Sequence, residues 1–356
     1  MPDFYLGYGK DIPALISKLL ECAEIKSRLP NAAKVVIKPN LVKAADPEQG
    51  ATTHAEIVDA LIVYLKAHCS PAAITIAEGA WLGAQTTRAF SVCGYDALAR
   101  KHGVKLVDTK RDKTMRVHSH GLNLEICQTF LETDYFINIP VLKGHCQTLM
   151  TCCIKNLKGC IPDSEKSRYH SIGLDKPIAA LGAALRPDLH IVDSICGDPT
   201  FEEGGNPLRT DRIIMGFDPV LLDSYGAGLI GLDYREVEYL RLAEEWGVGK
   251  FVSDSPDFVE IGGENRPATI PTRSRIASKL AGHIEESGAC SACYAALIAA
   301  LNKRGGGLRG EKIKIGQGFR GKKPGGVGVG RCTSGCERHL PGCPPKAVDI
   351  LEFLDG

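Results

Sequence analysis

Val35-Val36-Ile37-Lys38-Pro39-Asn40 reads as a buried strand that stops at a proline and an asparagine, after which the hydrophobic period changes. Thr53 stands where a helix cap would, and Ile57, Leu61, Ile62 and Leu65 recur at helical spacing behind it. The same change of period repeats along the chain. Ile74-Thr75-Ile76 is a second strand, an alanine- and arginine-rich helix runs to about Ala99, and Val104 to Val107 is a third strand. Tyr135 to Ile139, Leu189 to Val192 and Arg212 to Met215 read as further strands, with helices over Lys176 to Leu185 and Pro219 to Ile230. Alternation of this kind implies a layered α/β domain with a largely parallel sheet. Ligands of such sheets meet the loops at the carboxyl ends of the strands. Asn40, Glu78, Lys143, His145 and Asp193 fall at those ends, where the rival use is capping helices and bonding turns.

With 44% hydrophobic residues in 356, the chain can bury one large core or two ordinary ones. Charged residues make up 24% and the net charge is +1, which gives no general attraction to nucleic acid or anionic membrane. Residues 1–20 lack the basic-then-apolar layout of a signal peptide. The longest apolar run, Tyr294 to Leu301, is far shorter than a membrane span. The expectation is a soluble, cytoplasmic protein. Fourteen cysteines in such a chain point to metal, catalysis or core filling rather than to disulfides.

The character changes near Pro271-Thr272-Arg273, which divides residues 1–275 from a cysteine-rich segment, 276–356. From Leu301 to Arg331 there are eleven glycines, nine Lys/Arg and one acid, Glu311. So few apolar residues are expected to build no core of their own, leaving a metal centre to cross-link the segment. Cys290, Cys293, Cys332, Cys336 and Cys343 all lie there. Cys290-Ser-Ala-Cys293 lets two thiolates converge at the start of the Tyr294 to Leu301 helix, whose partial positive charge favours them. A [4Fe-4S] cluster takes four thiolates. A four-thiolate zinc site needs the same sulfurs and is the main rival, and buried cysteines without metal are the third reading.

Gly342-Cys343-Pro344-Pro345 resembles the cluster loop of iron–sulfur subunits such as hydrogenase small subunits, and Gly330-Arg-Cys332-Thr resembles related C-terminal cluster segments. These resemblances favour one cluster on Cys290, Cys293, Cys332 and Cys343, with Cys336 as a spare. The chain as a whole resembles the family described as domain of unknown function 362. The resemblance rests on Lys38-Pro39-Asn40-Leu41, Thr52-Thr53-His54, Lys143-Gly-His145, Ile154-Lys155-Asn156-Leu157-Lys158-Gly159, Ile191-Val192-Asp193, and Asp218 with Asp223. It covers roughly residues 30 to 235. Members often carry an iron–sulfur or ferredoxin-like segment, which the resemblance implies for this tail.

Lys38, Lys143, Lys155, Lys158, His54, His145 and His170 would, if they share a cleft, form a cationic pocket for a carboxylate or phosphate. His145, His170 and Lys143 are the candidate catalytic groups. Lys38, Asn40, His54, Lys155, Asn156 and Asp193 are candidates for holding a small molecule. Alternatively the lysines are solvated and the histidines are core residues. His145, His170 and Asp193 could otherwise bind a metal. No Walker motif or Gly-x-Gly-x-x-Gly spacing is present. Cys146, Cys152, Cys153 and Cys160 form a second bunch, which could hold a second metal centre, though a helix over Gly144 to Ile161 would set it among Leu149, Met150, Ile154 and Leu157 and favour small apolar packing.

Two functions follow as expectations. One is an iron–sulfur oxidoreductase passing electrons through one cluster to a small anionic substrate or cofactor in the α/β domain. The other is a non-enzymatic electron carrier or redox-responsive binding protein. Lys303, Arg304, Arg309, Lys312, Lys314, Arg320, Lys322, Lys323 and Arg331 would either offset an anionic cluster or dock an acidic electron donor such as a ferredoxin or flavodoxin.

Overall fold

A computed structural model describes residues 1–266 and 276–356. Pro271-Thr272-Arg273, where the sequence changes character, lies outside the described residues. The described chain divides into two compact units, one of residues 1–80, 84–163 and 175–266, the other of 81–83, 164–174 and 276–356.

The first unit is built on an eight-stranded sheet of β1 (Phe4–Tyr8), β2 (Lys34–Pro39), β3 (Ala73–Glu78), β4 (Lys105–Asp108), β7 (Tyr135–Ile139), β10 (Leu189–Gly197), β11 (Leu208–Gly216) and β12 (Phe258–Ile261). Two hairpins complete the strand list, β5 (Thr114–Ser119) with β6 (Leu122–Cys127), and β8 (Lys143–His145) with β9 (Leu149–Thr151). The large sheet has the order β12-β1-β11-β10-β7-β2-β3-β4. β10, β7, β2, β3 and β4 are mutually parallel, and β11 runs antiparallel to both β10 and β1. Val35, Val36, Ile37, Ile137, Ile139 and Ile191 are buried, as a sheet covered on both faces requires. Helices Ile12–Cys22 and Ala55–His68 bury Leu15, Ile16, Leu19, Ile57, Leu61, Ile62 and Leu65 in the core formed with these strands.

The layered, mostly parallel α/β reading agrees with this architecture. Local details differ. The helix expected to end near Ala99 is two helices, Thr86–Val92 and Tyr95–His102, parted at Gly94 with φ +81°. His54, not Thr53, occupies the cap position of helix Ala55–His68, because the Thr53 hydroxyl donates to the Ile139 carbonyl and accepts from the Asn40 amide. Gly144 to Ile161 is not one helix: a hairpin return is followed by the short helix Cys153–Asn156 and a 3-10 turn.

The second unit contains a four-stranded parallel sheet, β13 (Ile284–Glu286), β14 (Ile313–Ile315), β15 (Val327–Val329) and β16 (Arg338–Leu340), in chain order. Helices Ser291–Arg304 and Ala347–Asp355 pack together. Leu297, Ile298, Leu301, Ile313, Ile315, Val329 and Ile350 are almost wholly buried. The glycine-rich stretch therefore does bury a core, contrary to the sequence expectation. Its strands are three residues long and supply isolated Ile and Val pairs that no window of composition reveals. No helix among the described residues is long and apolar enough to cross a membrane.

Candidate functional site

The carboxyl ends of β14, β15 and β16 lead into Gly316, Gly330 and Gly342, each with positive φ. After these turns come Gln317 and Arg320, then Cys332, then Cys343. The Gly330 amide donates to the Leu340 carbonyl and the Arg331 amide to the Gly342 carbonyl, so the Cys332 and Cys343 loops are tied to each other. Gly330 at φ +92° takes a conformation that other residues enter only under strain, and a Cβ there would stand 3.9 Å from Cys293 Sγ. Cys290 caps helix Ser291–Arg304 and Cys293 lies in its first turn, at the positive end of the helix.

Cys290, Cys293, Cys332 and Cys343 line one cavity of ≈ 190 Å³, walled by Ile315 and Val329. Cys336 does not line it; its sulfur is buried against Gly328. The Arg320 guanidinium donates to Cys332 Sγ at 3.4 Å and the Gln317 amide to Cys290 Sγ at 3.8 Å. Ser167 bonds Gln317 in turn, its hydroxyl donating to the side-chain carbonyl and its own carbonyl accepting from the amide. Burial first, and then the sulfurs of Cys290, Cys343 and Cys332, push the Cys293 thiol up to about 12.

Spacing separates the possible centres. Zinc at about 2.3 Å from each sulfur puts neighbouring sulfurs about 3.8 Å apart. Among the described residues, only Cys152, Cys153 and Asp223 bring three ligand atoms within 4.8 Å of one another. No three of the four tail sulfurs lie that close to one another, and four thiolates lining one cavity are the donor number of a thiolate-bound inorganic core.

In the first unit, polar side chains gather at the carboxyl ends of β2, β3, β7 and β10. Lys38 and Glu78 form a buried ion pair at 2.8 Å. Gly159 makes room for it, since a Cβ there would lie 1.9 Å from a Glu78 carboxylate oxygen. Lys143, fully buried, donates to Asn40 Oδ1 at 3.0 Å and to the Ala51 carbonyl at 2.6 Å. Asn40 donates to Asn156, Asn156 to Asn138, and Asn138 to the Cys153 carbonyl, with His190 Nδ1 3.0 Å from the Asn138 amide. Asp193 accepts from the His54 amide and faces His54 Nδ1, both at 2.8 Å. Glu202 joins His145 Nε2 at 3.0 Å and Lys155 at 2.8 Å.

Charges here are largely answered internally. Burial holds Lys143 down to about 7 and His145 down to about 4, the latter with help from Lys155. Burial opposes the Glu202 carboxylate, but Lys155 and His145 outweigh it and hold Glu202 well below the usual carboxylate range. Lys38, Asn40, His54, Lys143, His145, Lys155, Asn156 and Asp193 are thus all buried in one unit, but most of the cations face carboxylates rather than an open cleft. His170 belongs to the second unit. Of the alternative metal set, His145 pairs with Glu202 and Asp193 with His54 within the first unit. Glu202 and Gln317 as partners carried no sequence signal, since each acts across more than twenty residues from no motif; Arg320 stood among the basic residues expected to offset an anionic centre.

A family model described as "Domain of unknown function (DUF362)" matches residues 35–228. The thylakoid-associated protein sll1697 of Synechocystis sp. is 25% identical over 228 residues, which span 60% of this chain and 68% of that one. The lactate racemase apoprotein of Thermoanaerobacterium thermosaccharolyticum is a solved structure with a TM-score of 0.40 and 15% identity, covering 61% of this chain and 55% of that one.

Proposed function

Since the chain belongs to the family described as domain of unknown function 362, whose name leaves its chemistry open, we propose from the site itself that it is an iron–sulfur protein, an oxidoreductase or its electron-carrying component. The observation that carries this reading is the convergence of Cys290, Cys293, Cys332 and Cys343 on one cavity. Those four would hold a [4Fe-4S] cluster, which supplies one-electron transfer when bound.

The residues around it suit that use. Arg320 and Gln317 aim N–H groups at two of the sulfurs, which favours the more negative, reduced charge state. Cys343 is exposed, so the centre would reach the surface there. Arg320, Lys322, Lys323 and Arg331 are exposed, a cationic setting for an acidic electron donor such as a ferredoxin or flavodoxin. In the first unit Lys143 is the buried cation whose hydrogen-bond partners are neutral acceptors, which makes it the one we assign to a small anionic substrate.

Anaerobic purification with iron, sulfide and zinc analysis tests the proposal. About four irons and four sulfides per chain are expected from the ligand count, retained in Cys336→Ser and lost in Cys290→Ser, Cys293→Ser and Cys343→Ser. Stoichiometric zinc without sulfide would overturn it.

A further inference from the structure

A second group of ligating atoms lies in the first unit, independent of the tail. Cys152 follows β9 in a bend with φ −153° and ψ −138°, and Cys153 begins helix Cys153–Asn156. Although neighbours in the chain, the two side chains bring their sulfurs to 3.9 Å of each other. That is close to the edge of about 3.8 Å expected between two sulfurs on one tetrahedral zinc ion. Asp223, on helix Pro219–Leu229, completes a triangle with all three ligand atoms within 4.8 Å of one another.

All three residues have no exposed surface. Asp223 accepts from the Cys153 amide at 2.6 Å and the Ile154 amide at 3.2 Å. Among the described residues no lysine or arginine pairs with it. A carboxylate taken into a core without a cation opposite it is costly unless something else supplies positive charge. Gly226 follows one helical turn after Asp223, and a Cβ there would stand 3.9 Å from Cys152 Sγ, so no side chain crowds that sulfur from this helix.

We propose that Cys152, Cys153 and Asp223 bind a single thiophilic divalent cation of the zinc class. The ion would fix the start of helix Cys153–Asn156 to helix Pro219–Leu229. Lys155 and Asn156 project from that short helix into the buried polar network, so the site positions them.

The test is metal analysis of the full chain grown with added zinc, comparing wild type, Cys290→Ser and a Cys152→Ala/Cys153→Ala double variant. About one zinc per chain is expected in the first two, falling at least about tenfold in the third while its iron and sulfide are unchanged. Co²⁺ titration of zinc-free wild type is the second measurement and needs no variant to fold; thiolate-to-cobalt absorption is expected at one equivalent. Zinc-free wild type without that absorption would mean that the two thiols donate to Asp223 and no metal binds. Zinc that leaves with Cys290→Ser but stays in the double variant would place the ion in the tail, overturning this site and the cluster together. Loss of iron and sulfide alone would overturn only the cluster.

Discussion

His54 occupies the N-terminal cap position of helix Ala55–His68, where a positive charge opposes the helix dipole. Burial also works against its imidazolium, yet the Asp193 carboxylate at 2.8 Å, with smaller help from Glu56 and Glu48, raises the ring from 6.5 to about 9. Converted at about 1.36 kcal/mol per unit, that displacement stabilises the fold by about 3 kcal/mol, an order-of-magnitude figure. Because the folded value lies above the unfolded one, the contribution is complete below about pH 6.5 and is lost as pH rises through about 9. Asp193→Asn removes the charge and keeps one acceptor oxygen, enough for either the His54 or the Ile195 amide but not both. NMR titration of the His54 ring should then show it falling from about 9 to below 6.5, because burial then outweighs the smaller help from Glu56 and Glu48. Urea unfolding at pH 6 and pH 10 should show wild type losing about 3 kcal/mol more than the variant over that interval. A wild-type ring that titrates at or below 6.5, or equal losses in the two proteins, would refute the pairing.

Glu78→Gln strands the fully buried Lys38 ammonium and should cost about 3–5 kcal/mol by denaturant unfolding; Lys38→Met with Glu78→Leu should recover most of it. Arg320→Met removes the N–H donor to Cys332 Sγ, so the reduction potential of the bound cluster should fall in spectroelectrochemistry, and an unchanged potential would discount the contact. Leu297→Ala opens a fully buried position in the second unit and should destabilise that unit by about 2–5 kcal/mol, read as hydrogen exchange in β14 and β15.

Much of the first unit was legible because runs such as Val35-Val36-Ile37 and Tyr135 to Ile139 are continuous apolar stretches with a change of period after each. β1 was missed although Phe4 to Tyr8 is fully buried: it follows no preceding helix, and the antiparallel β11 pairing that holds it joins residues about 200 apart. The tail cysteines were legible as a set, since bunching in polar sequence is a chemical signal independent of fold. The preference for Cys332 over Cys336 came from local resemblance, and the cavity includes the first and leaves out the second. The charge state of the polar group could not be read at all. Lysines 38, 143 and 155 look alike in sequence, and only pairing with Glu78, neutral acceptors or Glu202 tells them apart.

The second unit takes in residues 81–83 and 164–174 as well as the C-terminal segment. A fragment of residues 276–356 would lack Ser167, whose hydroxyl and carbonyl both bond the Gln317 side chain beside Cys290, and would lack Gly83, which lies against Pro344. Fragment expression is thus a poor route to the tail's chemistry, because the junction drawn along the sequence is not the one drawn in space. The same geometry orders biosynthesis: this unit's inner segments leave the ribosome long before the cysteines they support, so it closes only after Cys343 has been made.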